Sequence, residues 1–293
     1  MSTPARRFAL AGLRLLPKHL LSRLAGRVVT LRLPHTLQRR QIQGFGRAVG
    51  VDFSELRDPL ESFASLQEFF TRALRDGVRP IDPAPDSVVA PCDGAWGASG
   101  AVDDGTLLQV KGRPYSLAGL LGDADAARAF AAGVYATFYL APRDYHRFHM
   151  PCAARVCRVT YIPGALWPVN RMGVEGIDAL FAQNERLCAF LAVAWEAIDL
   201  CLVAVGATLV GKVRVTFDDL TTNVAGGRQV TRTYAECPRF AKGEEWGRFE
   251  FGSTIVMIAG PGRMELYAQP PGTRVRLGER IGRLLRGPTG GRE

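Results

Sequence analysis

The chain has 293 residues, 47% apolar and 22% charged, the balance of an ordinary globular protein with room for one large core or two smaller ones. Its net charge of +9 is confined to one end, because residues 1–50 hold ten Lys or Arg and no Asp or Glu. Taking those ten from the total of 37 leaves 27 basic against 28 acidic residues beyond position 50. The six cysteines form no C-x-x-C pair and have no histidine at zinc-site spacing, so no metal is expected, and buried free thiols in a reducing compartment are. The best apolar stretch, 187–210, is broken by Glu196 and Asp199 and is too short of unbroken apolar length to span a bilayer. Arg14 likewise interrupts any secretory signal.

Residues 5–25 read as a helix, with Leu13, Leu16, Leu20 and Leu24 on one face and Arg7, Arg14 and Lys18 on another. Such a helix suits an anionic membrane interface, and equally a helix packed on its own domain with a solvated basic face. A transit peptide is a third reading, weakened by the shortage of serine. Nucleic acid is not an expected partner, since aromatics are not interleaved with the charges. A second helix is expected near 37–48. A third, from Ser65, opens with a Ser-x-x-Glu capping box and stops before Asp76-Gly77 and Pro80.

From about residue 86 the pattern changes to short strand-like runs: 88–90, 106–110, 134–140, 154–162, 200–217, 229–234, 249–259 and 264–268. Asp104-Gly105 reads as a hairpin turn and 175–186 as a helix. The fold class is α+β, with N-terminal amphipathic helices followed by a β-rich core. The expected organisation is a basic arm over 1–50, a catalytic domain over 51–286 and a Gly-rich disordered tail over 287–293.

Four segments carry candidate chemistry. Pro91-Cys92-Asp93-Gly94 ends a short apolar strand, and Arg143-Asp144-Tyr145-His146-Arg147-Phe148-His149 follows another. Tyr161 to Asn170 is a loop with prolines at both ends, suited to a pocket wall, and Phe251-Gly252-Ser253-Thr254 precedes the apolar run 255–259. Each has a plain structural reading: Asp93-Gly94 as a turn, the histidines as structural, Gly-Ser-Thr as the opening of a strand. Against that, two of only four histidines lie three residues apart directly after a strand, where rigid scaffolds present reactive groups. A serine, a histidine and an aspartate are also the ingredients of an activated hydroxyl.

Together these segments resemble the phosphatidylserine decarboxylase family, the pyruvoyl-dependent, self-cleaving enzymes that make phosphatidylethanolamine. The likeness runs from Ser65–Arg72 and Arg79-Pro80-Ile81-Asp82 through the segments above, Val205-Gly206-Ala207-Thr208 and Lys242 to Val256, about three-quarters of the chain. It implies that the Ser253 hydroxyl attacks the Gly252 carbonyl, that the resulting ester eliminates, and that the dehydroalanine hydrolyses to a pyruvoyl group. The products would be a β-chain of 1–252 and an α-chain from 253, a heterodimer open to further dimerisation. His149 would be the general base, Asp93 its orienting partner, and His146 a group beside the pyruvoyl. The ketone would form a Schiff base with phosphatidylserine and draw electrons as CO2 leaves. Peripheral attachment to the cytoplasmic side of the cell membrane through the basic arm then becomes the expected role of that arm. Phe251, Cys92 and Lys212 depart from the usual family pattern, and only Lys212 is more than an apolar exchange. Two alternatives stay open on the residues themselves. One is a lipid-surface serine hydrolase using Ser253, His149 and Asp93, which lacks the Gly-x-Ser-x-Gly elbow. The other is a non-catalytic protein that binds anionic lipid.

Overall fold

Two apolar runs, Arg186–Ala192 and Leu200–Val205, are buried at every position and form the centre of a nine-stranded antiparallel sheet. Burial on both faces is why they read as continuous apolar sequence without alternation. The computed structural model describes residues 26–109, 113–193, 198–208, 212–224, 227–250 and 253–285, with Ser253 described by its backbone alone. The expected helix over 5–25, the tail from 287 and Gly252 lie outside the described residues.

Across the large sheet the order is Val230–Thr233, Ala154–Ile162, Arg186–Ala192, Leu200–Val205, Ser253–Ala259, Val134–Leu140, Gly94–Ala101 and Arg274–Val275, with Arg239–Phe240 also paired to Ala154–Ile162. Period-two alternation sends Ile255, Met257 and Ala259 into one apolar cluster and Val256 and Ile258 into another on the opposite face. The first cluster includes Phe148, Met150, Trp246 and Phe249, from a three-stranded sheet ordered Val213–Val215, Glu245–Phe249, Arg147–His149. The α+β expectation is borne out.

The strands expected at 134–140 and 154–162 form with those bounds. Asp104 and Gly105 both take positive φ, 45° and 69°, as a two-residue hairpin turn requires. Three expectations need correction. The run 249–259 is two strands, Glu245–Phe249 and Ser253–Ala259, belonging to different sheets. The run 200–217 is also two, Leu200–Val205 and Val213–Val215. The helix expected over 175–186 is replaced by the short helices Arg171–Gly176 and Leu180–Gln183 before the strand that starts at Arg186. Asn170 caps the first of them by accepting from the Gly173 amide.

The helix expected near 37–48 spans His35–Val49 and buries Gln38, Ile42 and Gly46, one per turn along a single stripe. Gly46 sits under Phe53, whose ring a Cβ would approach to 2.4 Å. Ser65 caps Leu66–Phe70 by accepting from Glu68 N, while the Glu68 carboxylate takes the Ala64 amide rather than that of Ser65. Phe69 and Leu66 pack with Ile42, Val51, Leu56 and Phe63, so residues 42–69 form an N-terminal layer with its own small core.

Candidate active site

Two segments run antiparallel past each other and gather the candidate residues. Ser253 pairs with Leu140, Phe249 N donates to His146 O at 2.9 Å, and Glu245 pairs with His149. Phe249 and Ser253 are therefore paired with the two ends of the segment 140–146. Glu250 N donates to the Lys212 carbonyl at 2.9 Å, so the residue that departs from the family pattern holds this segment through its main chain.

His149 ends a strand between the Pro91 carbonyl, which accepts its amide at 2.7 Å, and the Glu245–Phe249 strand. Its Nδ1 lies 2.9 Å from Gly243 O, and a carbonyl only accepts, so Nδ1 carries the proton. Nε2 is thus the bare nitrogen, and the Tyr145 hydroxyl donates to it at 3.2 Å. Burial lowers the His149 pKa below its ordinary value, against the raising effect of the Gly243 hydrogen bond. The ring is neutral near pH 7 and presents the lone pair a general base needs. Gly243 is required here, since its φ is 78° and a Cβ would meet Ile81 at 2.7 Å.

Asp93 is 1% exposed. Arg79 donates to both of its oxygens from Nε at 2.9 and 3.0 Å and to Oδ2 from Nη2 at 2.6 Å, and Leu277 N donates to Oδ1 at 2.8 Å. Four donor contacts fill the acceptor capacity of one carboxylate. In this arrangement the His149 ring is hydrogen-bonded to the Gly243 carbonyl and Asp93 to Arg79, and among the described residues no hydrogen bond joins His149 to Asp93. Arg79 is also shared with Glu55 at 2.9 and 2.7 Å. Burial opposes its charge, but the hydrogen bonds it donates to Asp93 and Glu55 win and raise its pKa above the ordinary value.

His146 is fully buried, with its ring centroid 4.0 Å from that of Phe70. Nδ1 donates to Asp144 O at 2.8 Å, which leaves Nε2 bare, and among the described residues that atom has no hydrogen-bond partner. Burial first, and the nearby Arg72 charge second, lower its pKa to about 3. Asp144 itself accepts from Ala141 N at 2.7 Å, and burial raises its pKa. The loop 161–170 is fixed beside the end of the Leu200–Val205 strand: Thr208 Oγ1 donates to Leu166 O at 2.6 Å and Asn184 bridges Trp167 and Gly206. That strand end pairs with Thr254.

Sequence reasoning missed Tyr145, Gly243 and the role of Arg79, although all three lie inside segments it had singled out. Among the described residues no cluster of His, Cys, Asp and Glu could hold a metal ion, and all six cysteines are free.

The phosphatidylserine decarboxylase family model matches residues 66–283. The chain belongs to that family. A phosphatidylserine decarboxylase proenzyme of Anaeromyxobacter sp. (strain K) is 43% identical over 279 residues, covering 94% of this chain and 98% of that protein. Proenzymes of the same name from Brevibacillus brevis and Myxococcus xanthus are 39% and 38% identical, covering 85% and 92% of this chain and 88% and 96% of their own lengths. The family match brackets Asp93, His146, His149 and Ser253. Family membership makes the chain a decarboxylase of the lyase class.

Proposed function

We propose that this protein is a phosphatidylserine decarboxylase that matures by cutting its own Gly252–Ser253 bond. The observation that carries the reading is the antiparallel register just described, which sets the segment bearing both histidines against the segment bearing Ser253. In the maturation step the Ser253 oxygen attacks the Gly252 carbonyl while His149 Nε2 takes its proton, once Tyr145 gives up that nitrogen. The amide becomes an ester, the Cα proton and the carboxylate leave, and hydrolysis of the dehydroalanine releases ammonia. A chain of 1–252 and a chain of 253–293 bearing an N-terminal pyruvoyl group result.

The residues around the site fit that group. His146 offers a buried, neutral nitrogen with a free lone pair, able to accept a hydrogen bond from the substrate amine without competing with it as a charge. When formed, the pyruvoyl ketone supplies an electron sink for the pair released as CO2 leaves. Arg79, itself paired with Glu55, holds Asp93, so Asp93 acts on His149 through its charge, which favours the protonated ring as the hydroxyl proton arrives.

The arm supports peripheral binding at the anionic cytoplasmic surface of the cell membrane. Val28, Leu31 and Leu37 are exposed beside Arg27, Arg32 and Arg40. Among the described residues no helix is long and apolar enough to cross a membrane.

Intact mass decides the maturation step. The expected result is two chains split at Gly252–Ser253, the smaller blocked to Edman degradation and reduced by borohydride, with CO2 released from phosphatidylserine vesicles. An active preparation consisting of one full-length chain would overturn the reading and favour a hydrolase or a lipid-binding protein.

A further inference from the structure

A cavity of about 280 Å³ lies between the N-terminal layer and the loop 143–145. Five guanidiniums line it (Arg72, Arg79, Arg143, Arg274 and Arg276) against four carboxylates (Asp52, Glu55, Asp93 and Asp144). The carboxylates are already engaged. Glu55 and Asp93 are held by Arg79, Asp52 accepts from the Ser54 amide and hydroxyl, and Asp144 accepts from the Ala141 amide.

Most of the cationic donors are not. Arg143 and Arg274 approach a single Asp144 oxygen only to 3.8 and 3.6 Å, beyond hydrogen-bond reach. Arg276 has no ion pair among the described residues. Arg72 is 4% exposed, lies over the Phe69 ring at 5.3 Å and donates from Nη2 to the Arg143 and Asp144 carbonyls, while its buried Nε and Nη1 have no hydrogen-bond partner among the described residues. Asp93, Asp144 and Glu55 offset its charge only through space, and a buried N–H that lacks a hydrogen-bond acceptor is costly.

We propose that this cavity binds the phosphodiester of the lipid head group, with Arg143, Arg274 and Arg276 as its ligands and Arg72 as a buried positive charge beneath them. The proposal rests on the decarboxylase reading for the identity of its ligand. Guanidinium forks arriving from two separate elements, the 143–145 loop and the Arg274–Val275 strand, suit the several oxygens of a tetrahedral anion. Tyr145 forms part of the cavity wall and also hydrogen-bonds His149, so the anion site lies one side chain from the chemistry. In a serine phospholipid the phosphodiester is only a few bonds from the amine, which fits that spacing. Gly50, Asp52 and Glu55 also line the cavity, so the N-terminal layer contributes to the same site.

The test uses matured enzyme and the variants Arg274→Gln and Arg276→Gln, each first checked for self-cleavage as a report of intact folding. With phosphatidylserine in mixed micelles, KM is expected to rise about tenfold with kcat changed less than about threefold, since the charge-assisted contacts position the head group and not the reacting bond. Glycerophosphoserine is expected to compete with the lipid in the parent enzyme and about tenfold more weakly in the variants. Unchanged KM and unchanged inhibition would overturn the proposal. If inorganic phosphate binds the parent and not the variants while KM for the lipid is unaffected, the cavity is a free-anion site and the lipid assignment falls. A parent enzyme that releases no CO2 would instead remove the decarboxylase reading; calorimetric titration with glycerophosphoserine then decides the cavity by itself, with loss of binding in the variants supporting it and equal binding overturning it.

Discussion

The Tyr145 hydroxyl donates to Nε2 of His149 at 3.2 Å, while Nδ1 of the same ring is tied to Gly243 O. This pair caps the nitrogen that would receive the Ser253 proton, and stabilises the neutral ring. Self-cleavage is expected to be lost on the acid side as His149 protonates, with a midpoint below the ordinary histidine value of about 6.5 because burial lowers its pKa. Tyr145→Phe removes about 1 kcal/mol of hydrogen bonding to the neutral form, so the midpoint should move up by roughly 0.7 of a pH unit. Time courses of precursor loss across a pH series read this directly. An unmoved midpoint would mean that the hydroxyl does not hold Nε2 in the resting precursor.

His146 gives stability a pH dependence of defined sign. In the unfolded chain it takes a proton near pH 6.5, whereas in the fold it does so only near about 3. Its contribution is therefore fully present above pH 6.5 and is lost as pH falls through that window towards 3. Urea unfolding of the uncut Ser253→Ala protein should show declining stability from pH 6.5 to 4.5, and His146→Phe should flatten that decline while keeping the ring contact with Phe70. Equal slopes in the two proteins would show that His146 titrates normally.

Local periodicity was enough for the strands at 134–140 and 154–162 and for the helix starting at His35, because each segment's own pattern matches its burial. The run 249–259 failed for a tertiary reason: Phe249 belongs to the sheet with Phe148 and Trp246, Ser253 to the sheet with Leu140, and both are apolar-rich. The strand from Arg186 was hidden because burial on both faces erases alternation, and Arg186 itself is buried by donating to the carbonyls of Gly119, Leu120 and Asn184. For the site, the family resemblance singled out Asp93, His146, His149 and Ser253, and the fold sets the His149 strand and the Ser253 strand on either side of the 249–253 segment. That the His149 ring is hydrogen-bonded to Gly243 while Asp93 is hydrogen-bonded to Arg79 depends on tertiary packing, and no spacing along the chain encodes that.

Because Arg79 fills the acceptors of Asp93, the two should behave as one unit. Breaking a buried pair leaves the partner charge uncompensated, and Glu55 relieves only part of that on the Arg79 side. In the Ser253→Ala background, Asp93→Asn and Arg79→Gln are each expected to cost about 3 kcal/mol in urea unfolding. The double variant should fall short of the sum by about 2 kcal/mol. Simple additivity would mean that Arg79 is not the partner that matters to Asp93.

Gly247 tests whether the three-stranded sheet must be built for maturation to occur. It faces Val215 across one strand pair and Phe148 across the other, and a Cβ would meet the Phe148 ring at 2.3 Å and Arg214 O at 2.6 Å. Neither neighbour can yield easily, since Phe148 is packed against Trp246 and Phe249 and the other atom is main chain. Gly247→Ala is expected to cost about 1–3 kcal/mol and to displace the His149 strand from its register with Glu245. Its precursor should therefore accumulate even where the protein remains folded by circular dichroism. Wild-type processing would show that the sheet tolerates the methyl and that its register is not a condition for the chemistry.

The exposed arm separates the apolar from the electrostatic part of membrane binding. Val28, Leu31 and Leu37 stand more than half exposed, at 57%, 56% and 51%, in a segment whose neighbouring charges are all arginines. Each apolar side chain that leaves water for the interface contributes about 1.5–3 kcal/mol at most, and partial insertion contributes less. Changing all three to serine should weaken sedimentation with phosphatidylserine vesicles by tenfold or more. The arginines remain, so the residual binding should still fall as salt rises, because the Debye length shortens from about 10 Å at 0.1 M to about 3 Å at 1 M. Self-cleavage involves no lipid and should proceed as in the parent. Unchanged vesicle binding in the triple variant would place the apolar contact elsewhere and leave this segment a purely electrostatic tether.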